Sequence, residues 1–184
     1  MDKRIAKTNA AIYAALATLL KEKDFADLSV EDILQRSGVS RSTFYAHFKT
    51  KGDVLDSISR NIFDHVLSHG LSREHSHDFS HASIFEYESF FTHILYHLKD
   101  EEELICAIIN SSCKARFFKD LREKMADLTH HSLHEGIFAR KEVPTDLQIR
   151  SIVESFLALV EYWFATDLKE SPEKMTSYFV ALHQ

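Results

Sequence analysis

The sequence predicts an all-α chain of about nine helices, and three observations carry that reading. Apolar residues recur at three- and four-residue spacing along nearly the whole length, the spacing that lines one face of a helix. Sustained two-residue alternation flanked by turn dipeptides, the mark of a half-buried strand, is missing. Only 4 Gly and 2 Pro stand among 184 residues, too few to punctuate many short elements. At 45% apolar content, the chain can bury one large core, or a small domain's core and a larger one beside it.

Ile5, Ile12, Leu16 and Leu19 draw the apolar face of a first helix ending near Lys23, and Phe25 and Leu28 pack the corner after it. Ser29 with Asp32 three residues on is a close variant of the capping box, and starts a second, short helix whose Val30, Ile33 and Leu34 point inward. Gly38 ends it, because a tight turn after a helix demands a positive φ. Val39 fills the angle before the next helix, which Ser40 caps. That third helix, about 41–48, is too short to be stable alone and is anchored by Phe44 and Phe48 at i, i+4. Thr50 and Asp53 form another cap pair, and Leu55, Ile58, Ile62 and Val66 are the stripe of the longer helix that follows.

A His- and Ser-rich run at 72–80 is the best linker candidate. Helices are expected at 82–98, 101–111 and 114–138, with Glu101, Glu102 and Glu103 suiting the positive start of the middle one. Ile149, Ile152, Val153, Phe156, Leu157, Val160, Trp163 and Phe164 then make a wide apolar stripe. Pro172 after Ser171 starts a last helix with Met175, Tyr178, Phe179 and Leu182 on one face.

The third helix turns a chemically uniform face outward. Arg41, Ser42, Thr43, Tyr45 and His47 all donate hydrogen bonds, and none is acidic. Two short helices joined by a glycine turn, the second carrying such a face, read as a helix-turn-helix for a DNA groove. An Arg at the helix start reaches guanine O6 and N7, while hydroxyls and an imidazole suit phosphate oxygens. Lys51 falls in the first turn of the following helix, where free backbone N–H groups already favour an anion. The same residues also fit the solvated face of a small bundle, or a face for a protein partner in a helical interaction module; a solvated face, however, normally mixes in Glu or Asp.

Net charge of −6 looks wrong for a DNA binder until it is divided. Residues 1–60 hold ten Lys or Arg against eight acids, +2, which leaves twelve against twenty, −8, for the remainder. The acidic end would repel DNA and help orient the basic one.

Leu28-Ser29-Val30, Ile33, Gly38-Val39-Ser40, Thr43-Phe44-Tyr45, His47-Phe48, Lys51 and Leu55 resemble, position by position, the DNA-binding domain of the TetR family of bacterial transcription regulators. The resemblance covers roughly the first third of the chain. It implies a three-helix DNA-binding domain at 1–50 and a helical domain at 51–184 that dimerises and holds a small-molecule effector. It places base contacts on Arg41 and Ser42 and backbone contacts on Ser29, Thr43, Tyr45, His47 and Lys51, with Ser40 in the same stretch. Most relatives are repressors, so a ligand-responsive repressor on a palindromic operator is the expectation.

The two terminal helices carry more apolar surface than their own stripe needs. A two-fold four-helix bundle, two helices from each copy, would use Ile152, Phe156, Val160, Trp163, Tyr178 and Phe179; monomer core is the alternative. Effector-pocket candidates are Tyr87, Phe91, Tyr96, Asn110, Phe117 and Trp163, aromatics with a polar anchor, which core packing also explains. Among twelve histidines, His65 with His69, His93 with His97 and His130 with His134 stand at i, i+4, a spacing that can hold Zn²⁺. His75, His77 and His81 lie near the linker. No third ligand is fixed by sequence, so solvated or core histidines explain them too. No cofactor is expected, and a Zn²⁺-responsive regulator of the same fold is a variant reading.

Cys106 and Cys113 sit seven residues apart, on one face of any continuous helix, and read as buried free thiols of a reducing compartment. No Gly-rich phosphate loop, nucleophile elbow or metalloprotease signature is present, so catalysis is not expected. No secretory or membrane segment is expected either: the apolar stretch at 156–164 is broken by Glu161, and a cytoplasmic protein is the reading.

Overall fold

The computed structural model describes residues 3–68, 87–134 and 139–183. Among them run nine α-helices and one 3₁₀ turn, with no strand. The helices are α1 (Lys3–Glu22), α2 (Val30–Ser37), α3 (Arg41–His47), α4 (Lys51–Ser68), α5 (Tyr87–Asp100), α6 (Glu102–Ile109), α7 (Lys114–His134), α8 (Thr145–Ala165) and α9 (Pro172–Ala181), with the 3₁₀ turn at Phe25–Asp27. The expected linker at 72–80, the first turn of the helix expected from residue 82, and residues 135–138 lie outside the described residues. The chain divides into two compact units, one of residues 1–60 with 101–117, the other of 61–100 with 118–184.

In the first unit Ile12, Leu16, Ile33, Phe44 and Leu55 are buried to 1% exposure or less, which is the apolar pattern of the sequence turned inward. α1 packs against α2 and against α6. The α6 contact is a non-local one that no periodicity signals. Its rim is polar: Lys21 pairs with Glu103, and the Ser112 hydroxyl donates to the Asp24 carboxylate. Arg36 forks onto Glu22 at 2.9 and 2.8 Å, tying α2 to α1. Inside, the Tyr13 and Ser57 hydroxyls meet at 2.8 Å, and burial pushes the Tyr13 phenol up from its ordinary range.

α2 ends as expected. Gly38 has φ +68°, and its N–H donates to the Leu34 carbonyl at 3.0 Å. A Cβ there would meet nothing within 4 Å, so a substitution is opposed by backbone conformation alone. Gly38→Ala is therefore expected to cost about 1 kcal/mol, the left-handed penalty less the gain from a stiffer unfolded chain. A lower denaturation midpoint with an unchanged m-value checks it.

In the second unit α5 and α8 both pack on α9. Phe91, Phe156 and Phe179 meet there with ring centroids 4.5–5.7 Å apart, and Trp163 donates its indole N–H to the Glu170 carbonyl at 2.9 Å. Thr92 and Thr176 join hydroxyls at 2.8 Å across the α5–α9 contact, and Tyr96 donates to Glu173. The Glu173 carboxylate, and burial after it, push the Tyr96 phenol up to about 12. α7 is held to α8 by Arg122, which forks onto Glu154 at 2.6 and 3.2 Å. Ser171 caps α9 with Pro172 in its first turn, as its residue types require.

The cysteine expectation is corrected. The chain turns between α6 and α7, so Cys106 and Cys113 share no continuous helix: Cys106 is exposed and Cys113 is buried, both as free thiols.

Candidate nucleic-acid interface

Three caps set the geometry of the helix-turn-helix. At α2 the Ser29 hydroxyl accepts from the Asp32 N–H at 3.1 Å, and Asp32 Oδ2 accepts from the Ser29 N–H at 2.7 Å. The Ser29 hydroxyl and, next, the Lys23 ammonium 2.9 Å away hold the Asp32 carboxyl far below the usual carboxylate range. Because the folded value lies below the unfolded one, this stabilisation is present at neutral pH and fades as pH falls below about 4. At α3 the Ser40 hydroxyl accepts from the Thr43 N–H at 3.1 Å, with the Ser42 and Thr43 hydroxyls 3.0 and 2.8 Å from it. At α4 the Asp53 N–H donates to Thr50 Oγ1 at 3.1 Å, and Asp53 Oδ2 accepts from the N–H groups of Thr50 and Lys49. Each cap is a local i, i+3 exchange, which is why residue types alone foretell it.

α3 is pinned by one face. Phe44 and Phe48 are buried with ring centroids 5.5 Å apart. Around the helix from them Arg41, Ser42, Tyr45 and His47 are exposed, and Thr43 is half-buried. Tyr45, 48% exposed, stands edge-on to Phe44 with ring centroids 5.5 Å apart, a contact that positions its ring.

Two contacts at this face carry no sequence signal. Arg41 pairs with Glu31 of α2, so a carboxylate stands beside a surface that reads as free of acids. Both side chains are exposed, and such a pair contributes at most about 1 kcal/mol, little enough for DNA to displace. Lys51 is used differently from the phosphate clamp expected of it. Its ammonium donates to the carbonyls of Phe25, Ala26 and Leu28 at 2.6, 2.9 and 2.6 Å, and lies 4.9 Å from the Phe25 ring centroid. Three N–H bonds meet three carbonyls around the 3₁₀ turn, one of which, that of Phe25, also accepts from the Leu28 N–H at 3.3 Å, so Lys51 clips that turn to the start of α4. At that start Gly52 leaves space for Arg116, whose guanidinium would lie 2.9 Å from any Cβ there and forks onto Asp56 at 2.8 and 2.7 Å.

The other expected sites fare unevenly. Phe91 and Trp163 lie in the core of the second unit with Tyr96 half-buried beside α9, whereas Asn110, exposed, and Phe117, buried, belong to the first unit. Tyr87 opens α5, and its side chain lies outside the described residues. For the dimer surface the structure brings a correction. Ile152, Phe156, Val160, Trp163 and Phe179 are 0–3% exposed within a single chain, because α9 and α5 already cover the stripe. Only Tyr178 of the six, 36% exposed, can meet a partner; Tyr162 and Leu182, 57% and 68% exposed, join it on the outside of α8 and just past α9. Of the histidines, His93 is fully buried and His97 half-buried, their Nε2 atoms 3.0 Å apart, while His130 and His134 are exposed. The side chain of His65, and His69, His75, His77 and His81, lie outside the described residues. Among the described residues no group of three or more His, Cys, Asp or Glu gathers in a way that could hold a metal.

A seven-residue helix anchored by two phenylalanines and carrying hydrogen-bond donors outward, on a capped helical scaffold, defines a helix-turn-helix DNA-binding protein. The family model described as "Bacterial regulatory proteins, tetR family" matches residues 12–58, and "Transcriptional regulator C-terminal region" matches residues 86–184. The chain belongs to the TetR family of transcriptional regulators. A TetR transcriptional regulator from Streptococcus agalactiae 2603V has a similar structure, with TM-score 0.68 and 25% identity over 100% of this chain and 97% of that one. HTH-type transcriptional regulator EthR of Mycolicibacterium smegmatis is 47% identical over 49 residues, 27% of this chain and 23% of that protein. HTH-type transcriptional regulator YxbF of Bacillus subtilis (strain 168) is 28% identical over 81 residues, 44% of this chain and 21% of that protein. The matched part thus spans about a fifth of the length of these curated relatives. Among the described residues no helix is long and apolar enough to cross a membrane.

Proposed function

We propose that the protein is a repressor that binds a palindromic operator as a homodimer and releases it when a small molecule occupies the second unit. The observation that carries the reading is the outward face of α3, where Arg41, Ser42, Tyr45 and His47 stand exposed along the length of a helix pinned from behind by Phe44. Arg41 reads a base edge once it exchanges Glu31 for DNA, and Ser42 supports it. Tyr45, His47 and Thr43 hold phosphates, with Ser29 and Ser40 placing the backbone N–H groups of their helix starts nearby. Lys51 serves the same surface by fixing the turn that precedes α2.

Symmetry supplies the rest of the reading. Tyr162, Tyr178 and Leu182 present large apolar groups to solvent, and a second copy covering them would supply the second α3 helix that a two-fold reader needs for half-sites about 34 Å, one turn of DNA, apart. A ligand moving operator occupancy from 99% to 1% must prefer the released state by about 10⁴-fold.

Selection from random DNA tests the proposal. The expected product is a palindrome bound with steep salt dependence, and an asymmetric site bound by single subunits would contradict the dimer. Within that assay Arg41→Ala should relax choice at one base position by about 1–3 kcal/mol, whereas Tyr45→Phe should weaken all sequences alike. Unchanged base preference in Arg41→Ala removes its reading role.

A further inference from the structure

We infer that His93 and His97 are the protein ligands of a transition-metal site of the Zn²⁺ class. The residues stand one helical turn apart on α5, and their rings lean toward each other, centroids 4.7 Å apart, until the two Nε2 atoms are separated by 3.0 Å. At that distance one nitrogen must carry a proton and the other must offer its lone pair; two protonated nitrogens would repel. The pair therefore converges on a single point between the rings. A tetrahedral zinc ion held at about 2.0–2.1 Å by each of two imidazoles sets its nitrogens roughly 3.3–3.4 Å apart. A metal ion needs both Nε2 lone pairs, so the donating ring moves its proton to Nδ1 and the pair opens by a few tenths of an ångström.

The surroundings suit a built site better than a surface accident. His93 is 0% exposed, so its ring is already held by packing, and half-buried His97 leaves the pair an approach from solvent. The flanking positions of α5 are fixed as well: Thr92 bonds Thr176 and Tyr96 bonds Glu173, both on α9. No third His, Cys, Asp or Glu joins the pair among the described residues, and the half-buried His97 side is open to solvent that can supply further ligands. His130 and His134 share the same spacing but are exposed, which makes them the internal control. This inference goes beyond the operator reading and does not depend on it.

The test uses the full-length protein stripped of metal by a chelator, then dialysed against Zn²⁺ and, separately, titrated with Co²⁺, whose visible d–d bands report nitrogen ligands. One ion per chain and a rise in thermal midpoint with Zn²⁺ are expected. His97→Ala, at the less buried ring, should weaken binding by more than the roughly 10–100-fold that loss of an outer-shell partner costs, and His93→Gln should do the same. The His130→Ala/His134→Ala double variant should bind as the parent does. Absence of saturable binding, affinity unchanged in a folded His97→Ala protein, or loss confined to the His130/His134 variant would each overturn the site.

Discussion

Phe44→Ala is expected to remove about 3–5 kcal/mol of stability and with it all specific DNA binding. The ring is fully buried, 5.5 Å from Phe48 and 5.5 Å from Tyr45. α3 has only seven residues, below the length at which a helix holds itself, so its attachment to the unit is its stability. A loss of that size is a large share of the ~5–15 kcal/mol available to a whole domain. The readout needs care because the only tryptophan, Trp163, sits in the second unit. Trp163 emission should remain native while amide protection across α2 and α3 collapses and operator affinity falls to the non-specific level. Phe44→Leu, which keeps most of the volume, should lose far less on both measures. Parental operator affinity in Phe44→Ala would mean that α3 is held by something other than this ring.

That contrast marks where the sequence was legible. Ser29 with Asp32, Gly38, Ser40 with Thr43, Thr50 with Asp53, and Ser171 with Pro172 are exchanges within one turn, so residue types and spacing determine them before any tertiary contact forms. Phe44 and Phe48 were legible for the same reason, since helical spacing fixes a shared face. Contacts across elements were not. Nothing at Lys51 announces the carbonyls of residues 25, 26 and 28, and nothing at Arg41 announces Glu31, because both pairings depend on how two helices cross. α6 joining α1 in the first unit is the same kind of fact on a larger scale. Periodicity also names an apolar face without naming what covers it: the α8 stripe read first as a dimer interface, with monomer core as the alternative, and burial under α5 and α9 of the same chain places it in the core.

Phe156→Ala turns that decision into a second large effect. Its ring is fully buried, 5.1 Å from Phe91 and 5.7 Å from Phe179, so truncation loses the transfer energy, leaves a cavity and breaks two aromatic pairs, about 3–5 kcal/mol together. A core residue and an interface residue differ in how that loss depends on concentration. With Phe156 in the core, the Trp163 transition should move to lower denaturant by the same amount in dilute and in concentrated protein, since no second copy is involved. Tyr162→Glu supplies the opposite case: its side chain is exposed, so the folded chain tolerates the charge, while a second copy seated on that face would have to bury it unpaired. Its chain should keep the parental Trp163 emission and sediment as single subunits. A Phe156→Ala protein that stays folded but falls apart into monomers would reverse the assignment and put the α8 stripe back at the interface.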